Sequence, residues 1–169
     1  MEISKAYFLE ILKDHERILF KVSNAYCGDP EDRKDIIQEI IIQLWKSRNN
    51  YNPEYKLSTW IYRIALNVAI SHYRKAHKRK ETAVSINENI INISEDKADH
   101  MSDEANLKLL QKFIDELDKL NKALILLYLE DYSYREIAEM LGISETNVAT
   151  KISRLKKRLK TRFDQVLAH

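Results

Sequence analysis

The stretch that decides the fold is Tyr132–Lys160, YSYREIAEMLGISETNVATKISRLKKRLK. Ser133 and Glu136 are three apart and precede an apolar-periodic run, the pattern of a reciprocal helix cap. The short helix that follows places Ile137, Met140 and Leu141 on one face. Gly142 supplies a sharp turn, Ile143 an apolar anchor, and Ser144 a second N-cap. A second helix begins near Glu145, with Val148, Ile152, Leu155 and Leu159 at spacings of four, three and four. Two helices joined by a short Gly-containing turn form the unit that lays its second helix in the DNA major groove. Thr146, Asn147, Thr150, Lys151, Ser153 and Arg154 fall off the apolar side, and such groups suit base edges and phosphates. Thr146–Phe163 holds seven basic residues and no acid. A solvated basic face is the plainer reading, but cap, turn and basic helix together point to nucleic acid.

Outward from there, composition sets limits. The chain has 169 residues, 32% charged, with two Gly and two Pro, and no long Val/Thr/Tyr alternation. It reads as all-α, in two small helical domains joined by an acidic linker, the C-terminal one a helix-turn-helix. The expected divisions are 1–80, 81–104 and 105–169. The single cysteine, Cys27, excludes an internal disulfide and a cysteine metal site and suits a reducing cytosol. No signal peptide is visible, and the apolar run Ile36–Trp45 is too short to span a bilayer.

Residues 4–24 read as an amphipathic helix ended by Cys27-Gly28-Asp29-Pro30, with Gly28 a helix-ending type and Pro30 in the next first turn. A helix over 30–48 has a buried stripe of Ile36, Ile37, Ile40, Ile41, Leu44 and Trp45. Its polar side holds Asp32, Asp35, Gln38, Glu39, Gln43 and Lys46. On periodicity alone that side is solvated surface rather than a docking face. Arg48–Lys56 breaks the helix, carrying Tyr51 and Tyr55 with Trp60 close behind, and Ser58 is placed to cap the next helix. Three aromatics around a loop beside basic residues form a platform for unstacked bases, each stack worth about 1–3 kcal/mol. Trp60 divides evenly between core and platform; Tyr51, in a polar loop, leans to function. The helix over 58–80 is expected to bury Trp60, Ile61, Ile64, Ala65, Val68 and Ala69. It then turns basic at Arg74, Lys75, Lys78, Arg79 and Lys80, a second nucleic-acid surface. His72 and His77 are five apart and share no face, so no metal site is expected.

Glu81–Glu104 has seven acids against one lysine and little periodicity, and reads as a linker. Ile86, Ile90, Ile91 and Ile93 suggest that part of it docks on something. Beyond it, Leu107, Leu110, Phe113, Ile114 and Leu117 mark one helix, and Leu120, Leu124, Leu127 and Tyr128 another. These supply the core under the helix-turn-helix.

Asp35–Trp45 (DIIQEIIIQLW) and Leu57–Asn67 (LSTWIYRIALN), then a basic helix end, an acidic linker and this helix-turn-helix, resemble the extracytoplasmic-function (ECF) group of bacterial sigma factors. The resemblance covers about residues 4–163. It implies a two-domain initiation subunit of RNA polymerase that binds core enzyme and recognises −35 duplex and melted −10 DNA. Asp35, Gln38, Glu39, Leu44 and Trp45 then lie on the helix that docks on the core. Tyr51, Tyr55 and Trp60 belong to the loop that captures a flipped −10 base, Asn67 helps form its pocket, and Arg74, Lys75, Lys78 and Arg79 lie beside the melting duplex. Thr146, Asn147, Thr150, Lys151 and Arg154 face the −35 element. The resemblance implies partnership with core RNA polymerase, promoter DNA and an anti-sigma factor, often membrane-anchored, for which no motif is assignable here. It implies no cofactor, and a place in the cytoplasm. Two departures stand out: Leu120-Asn121 where the family often has Leu-Pro, and Ala149 where it often has lysine.

No nucleophile–base pair, phosphate-cradling glycine loop or metal-ligand spacing is present, so neither catalysis nor a small-molecule substrate is expected. The alternatives are a stand-alone helix-turn-helix regulator, against which the second aromatic-and-basic surface counts, and, more remotely, a basic helical enzyme.

Overall fold

The computed structural model describes residues 3–82 and 103–168, with side chains for 3–73 and 103–168. Seven α-helices and one 3-10 turn, Arg48–Asn50, make up its regular structure, and no strand occurs among the described residues. The all-α reading holds. The helices fall into two units: α1–α3 lie in one, and α4, α5 and α7 in the other.

In the first unit, α1 (Lys5–Tyr26) starts where the Ser4 hydroxyl accepts the Tyr7 N–H at 3.3 Å. Cys27, in extended conformation, ends it, so the stop needs no left-handed glycine at Gly28. In α2 (Pro30–Ser47) the Asp29 carboxylate accepts the Glu31 and Asp32 N–H groups at 2.8 and 3.1 Å. Pro30 fills the first turn, where its missing donor costs nothing. α3 runs Leu57–Thr82, its Trp60 N–H bonding the Lys56 carbonyl, so Ser58 lies inside the first turn rather than capping it. α1 packs along α3 and both touch α2. Phe8, Ile11, Leu19 and Val22 of α1 meet Ile36, Ile40 and Leu44 of α2 in the core. The buried row of α3 is Ile61, Tyr62, Ala65, Leu66 and Ala69. Trp60, Ile64 and Val68, expected inside, are half-buried at its edge. The helix is turned so that Tyr62 and Leu66, not Ile64 and Val68, fill the interior.

The second unit holds α4 (Asp103–Asp115), α5 (Lys119–Leu129) and α7 (Glu145–Leu167); α6 (Tyr134–Leu141) lies between α5 and α7 in the chain. α5 packs on α7, and α4 on α5. Phe113, Ile114, Leu117, Leu124, Leu127, Val148, Ile152 and Leu155 are buried. Leu107, expected in this core, is 65% exposed, and the buried residues of α4 are Phe113 and Ile114 near its other end. The far end of α7 is tied to α4: Arg162 pairs with Glu116 at 2.5 Å and covers the Phe113 ring at 4.0 Å, and Phe163 meets Phe113 edge-on at 5.1 Å. At the Leu120-Asn121 departure, the Asp118 cap accepts the Asn121 N–H at 3.1 Å, a donor that proline would lack.

Both turns flanking α6 close tightly. After α5, Asp131 takes φ 60°, with its N–H on the Tyr128 carbonyl and the Tyr132 N–H on that of Leu127. These two bonds form a Schellman motif with an aspartate where glycine is usual. A left-handed conformation costs an ordinary L-residue about 1–2 kcal/mol, and aspartate less. Asp131→Gly should therefore match or exceed the parent by about 0.5 kcal/mol, while Asp131→Val should lose about 1–2 kcal/mol. Thermal denaturation checks this, and a neutral valine would show that the turn is not constrained.

At the start of α6, Glu136 Oε2 accepts the Ser133 N–H at 3.0 Å and its hydroxyl at 2.9 Å. In return the Ser133 oxygen accepts the Glu136 N–H at 3.2 Å. Gly142, at φ 67°, ends the helix, with its own N–H and that of Ile143 both on the Ala138 carbonyl. A Cβ there would meet nothing within 4 Å, so conformation rather than space requires the glycine. Ser144 then accepts the Asn147 N–H at 3.2 Å and starts α7.

Candidate functional site

Three surfaces carry the residues singled out by the sequence. The first is the outer face of α2. Asp35, Glu39 and Lys46 are exposed in one row with Ile42 between them, at spacings of four, three and four, and Gln38 flanks it. Gln43 donates to Glu39 at 2.6 Å, fixing that carboxylate. Leu44, counted among the docking residues by the resemblance but in the buried stripe by periodicity, is 0% exposed. It continues the row Ile36–Ile40 into the core and cannot reach a partner, which corrects that assignment. Ile42, 44% exposed, sits in its place. The signal was present in the spacing, but an unbroken isoleucine run hid it. Trp45 is half-buried, edge-on to Phe8 at 5.1 Å and covered by the Arg48 guanidinium at 3.8 Å.

The second surface is the loop between α2 and α3. Tyr51 packs on Trp60 with ring centroids 5.3 Å apart, and its hydroxyl donates to the Tyr55 carbonyl at 2.7 Å. Burial pushes the Tyr51 phenol pKa up, and the nearby Tyr7 phenol adds to the shift. Asn52 stiffens the loop tip, accepting the Glu54 N–H at 3.0 Å and donating to its carboxylate at 2.9 Å. Tyr55 is exposed. Trp60 and Asn67 stand seven apart on α3, two turns along one side, and Asn67 is exposed. Asn67 also lines an open groove of about 680 Å3 between α3 and α2, opposite Asp35 and Glu39. Ile64 and Val68 contribute its apolar lining, with His72 also at its wall. The structure thus brings Asn67 beside the α2 face as well as onto the aromatic side of α3. The helical backbone of α3 continues under Arg74, Lys75, Lys78 and Arg79, whose side chains lie outside the described residues, as does most of the linker with its isoleucines.

The third surface is α7. Thr146, Asn147, Thr150 and Arg154 are exposed and Lys151 half-buried, all clear of the buried row Val148, Ile152 and Leu155. The Asn147 backbone N–H is held by the Ser144 cap, which fixes where its amide side chain starts. The Thr150 hydroxyl donates back to the Thr146 carbonyl at 2.9 Å, leaving its oxygen as an acceptor and its methyl outward. The sequence reading missed Lys156: it donates to the Tyr128 hydroxyl at 3.1 Å and lies 5.2 Å over that ring. That hydrogen bond, helped by the phenol's charge, pushes the ammonium pKa up. Only a fold that brings α5 against α7 could reveal this pair.

Among the described residues no group of three His, Cys, Asp or Glu is arranged to hold a metal ion. No described helix is long and apolar enough to cross a membrane.

Residues 11–79 match the family model of Sigma-70 region 2, and residues 107–159 that of Sigma-70, region 4. The chain is 29% identical over 157 residues to the RNA polymerase sigma factor SigV of Bacillus subtilis (strain 168), covering 92% of this chain and 90% of that protein. It is 27% identical over 162 residues to the ECF RNA polymerase sigma factor SigW of the same organism, covering 90% and 87%. Among solved structures, CnrH in complex with the cytosolic domain of CnrY superposes with a TM-score of 0.67 at 19% identity, over 96% of this chain and 90% of that one. The sigma factor RpoE in complex with the anti-sigma factor NepR from Bartonella quintana gives 0.66 at 18%, over 92% and 97%. These structural likenesses speak to the fold.

Proposed function

This chain belongs to the sigma-70 family, in its ECF group, and we propose that it docks on core RNA polymerase through the outer face of α2 and reads promoters through two separate DNA surfaces. As a sigma factor it directs promoter-specific initiation. The observation that carries the assignment of surfaces is their segregation. An acidic and amide-rich row lies on one helix, an aromatic loop follows it, and a capped recognition helix, free of acids from Thr146 to Phe163, lies in the other unit. Residues 1–80 form the domain for core enzyme and the −10 element, 81–104 the linker, and 105–169 the domain for the −35 element.

The docking face comprises Asp35, Gln38, Glu39 and Trp45, with Ile42 at its centre. Tyr51, Tyr55, Trp60 and Asn67, continued by Arg74, Lys75, Lys78 and Arg79, serve the melted −10 strand. Thr146, Asn147, Thr150, Lys151 and Arg154 serve the −35 duplex. Each DNA contact alone is weak. Held together on the polymerase, the two add through effective concentration. Lysines and arginines provide salt-dependent attraction to phosphate, and Asn147, near the start of α7, is placed for base edges. Unpairing costs a few kcal/mol, offset by stacking in the aromatic loop. The polymerase sets the location in the cytoplasm. The structural relatives bound to CnrY and NepR support an anti-sigma partner for this chain as well.

Asn147→Ala should weaken binding of the holoenzyme to its −35 element by about 1–3 kcal/mol and relax base preference there. Lys151→Ala should weaken it less selectively and lower the salt slope by about one. Neither should alter affinity for core enzyme. Run-off transcription with purified core, alongside a core-binding titration, tests the assignment. Loss of core binding by either folded variant would sink it.

A further inference from the structure

Three aromatic residues, Tyr51, Tyr55 and Trp60, cluster at the loop between α2 and α3. The geometry separates them. Tyr51 is committed twice, its hydroxyl donating to the Tyr55 carbonyl at 2.7 Å and its ring leaning on Trp60 at 5.3 Å with the planes 52° apart. A phenol with its proton given to a backbone carbonyl has no donor left for a base edge, and its ring is already engaged by an indole. Trp60 is half-buried under that ring and is anchored in the first turn of α3, its N–H on the Lys56 carbonyl. Tyr55 differs from both. It is 45% exposed and has no ring partner among the described residues, while its backbone is held at both polar groups. The N–H bonds the Asn52 carbonyl at 3.1 Å, and the C=O receives the Tyr51 hydroxyl. A free aromatic face on a backbone pinned at both ends is the arrangement that stacking on an unpaired base requires, since little ordering remains to be done on binding.

We propose, resting on the base-capture reading of this loop, that Tyr55 is the residue on which the unstacked promoter base lies, and that Tyr51 is a positioning residue acting through the Tyr55 carbonyl and the Trp60 ring. Tyr51, the more favoured contact on sequence grounds, works at one remove. The Asn52–Glu54 pair closes the turn between them and sets where the Tyr55 ring projects. The ligand is a base with its π-face free, so the contact tolerates different bases and gives its selectivity through which position leaves the stack.

The test uses holoenzyme assembled from the full chain and core polymerase, on a promoter chosen by selection from a library randomised across the −10 region. Its single-stranded −10 oligonucleotide is compared with versions made abasic at each position in turn. The parent holoenzyme should lose affinity roughly 5- to 100-fold at one position when the base is removed. Tyr55→Ala should lower affinity for the intact strand by a similar factor and abolish that difference. Tyr51→Phe keeps the ring and removes only the hydroxyl. It should lose a smaller factor at the same position, and nothing further when combined with Tyr55→Ala. Full additivity of the two changes, or retained base dependence in Tyr55→Ala with its loss in Tyr51→Phe, would overturn the assignment. A parent holoenzyme that selects promoters but shows no base-dependent position would overturn the base-capture reading together with it.

Discussion

Ile42→Asp is expected to fold normally and to bind core RNA polymerase at least about 30-fold more weakly than the parent, a hot-spot loss of about 2 kcal/mol or more. Ile42 is 44% exposed in a row otherwise made of Asp35, Glu39 and Lys46, with Gln38 beside it. A single aliphatic side chain ringed by polar groups is the arrangement in which docking concentrates its energy, because the ring excludes water from the centre. A carboxylate there buries a charge at the centre of the interface, one turn from Glu39. On the free protein the same change touches solvent, and surface changes of this kind stay within about 0.5 kcal/mol. Leu44→Ala, two residues on, should behave in the opposite way. Its side chain is fully buried, so truncation should cost about 2–5 kcal/mol of stability, and any loss of docking should follow loss of helix. Titration of labelled protein onto core enzyme, with circular dichroism on the same samples, separates the two. Parent-like docking by the Ile42 variant would place the interface elsewhere.

The second large effect is on stability. Leu124 of α5 is 0% exposed, in the layer where α5 meets α7. Leu124→Ala should cost about 2–5 kcal/mol. A unit of this size has about that much to lose, since small domains bury a modest share of their surface. The variant should lose the cooperative melting of α4, α5 and α7 and with it −35 recognition, while α2 still docks on core enzyme. Leu129→Ala provides the control: that leucine is 53% exposed, and its truncation should change stability by no more than about 0.5 kcal/mol. Equal effects of the two would mean that α5 is not packed as described.

Much of this was legible from residue spacing. The reciprocal cap at Ser133 and Glu136, the left-handed Gly142 and the start of α7 at Glu145 were each read in the chain and are each present, because they are local chemistry that needs no distant partner. Facing was harder. Ile36, Ile37, Ile40, Ile41, Ile42 and Leu44 are all apolar, so periodicity could not say which of them α1 and α3 would cover. The same ambiguity put Ile64 and Val68 in the core instead of Tyr62 and Leu66. The turn at Asp131 escaped notice because aspartate is not the residue that advertises positive φ. The bond from the Tyr51 hydroxyl to the Tyr55 carbonyl, four residues ahead, had no sequence signal at all. Such errors share one cause: pattern gives period, and only tertiary contact gives phase.

Arg48 belongs to two structures at once. Its N–H and its guanidinium both bond the Trp45 carbonyl, closing α2, and the guanidinium lies over the indole. Its own carbonyl accepts the Tyr51 N–H at 3.4 Å, opening the aromatic loop. The residue that ends α2 therefore begins the aromatic loop, with no spacer between the proposed polymerase face and the proposed DNA face. Any factor by which docking at Trp45 alters the loop's grip on a base must equal the factor by which a captured base alters the grip on the polymerase. Whatever coupling passes through this arginine acts in both directions, so a captured base tightens docking by the same factor as docking tightens the capture.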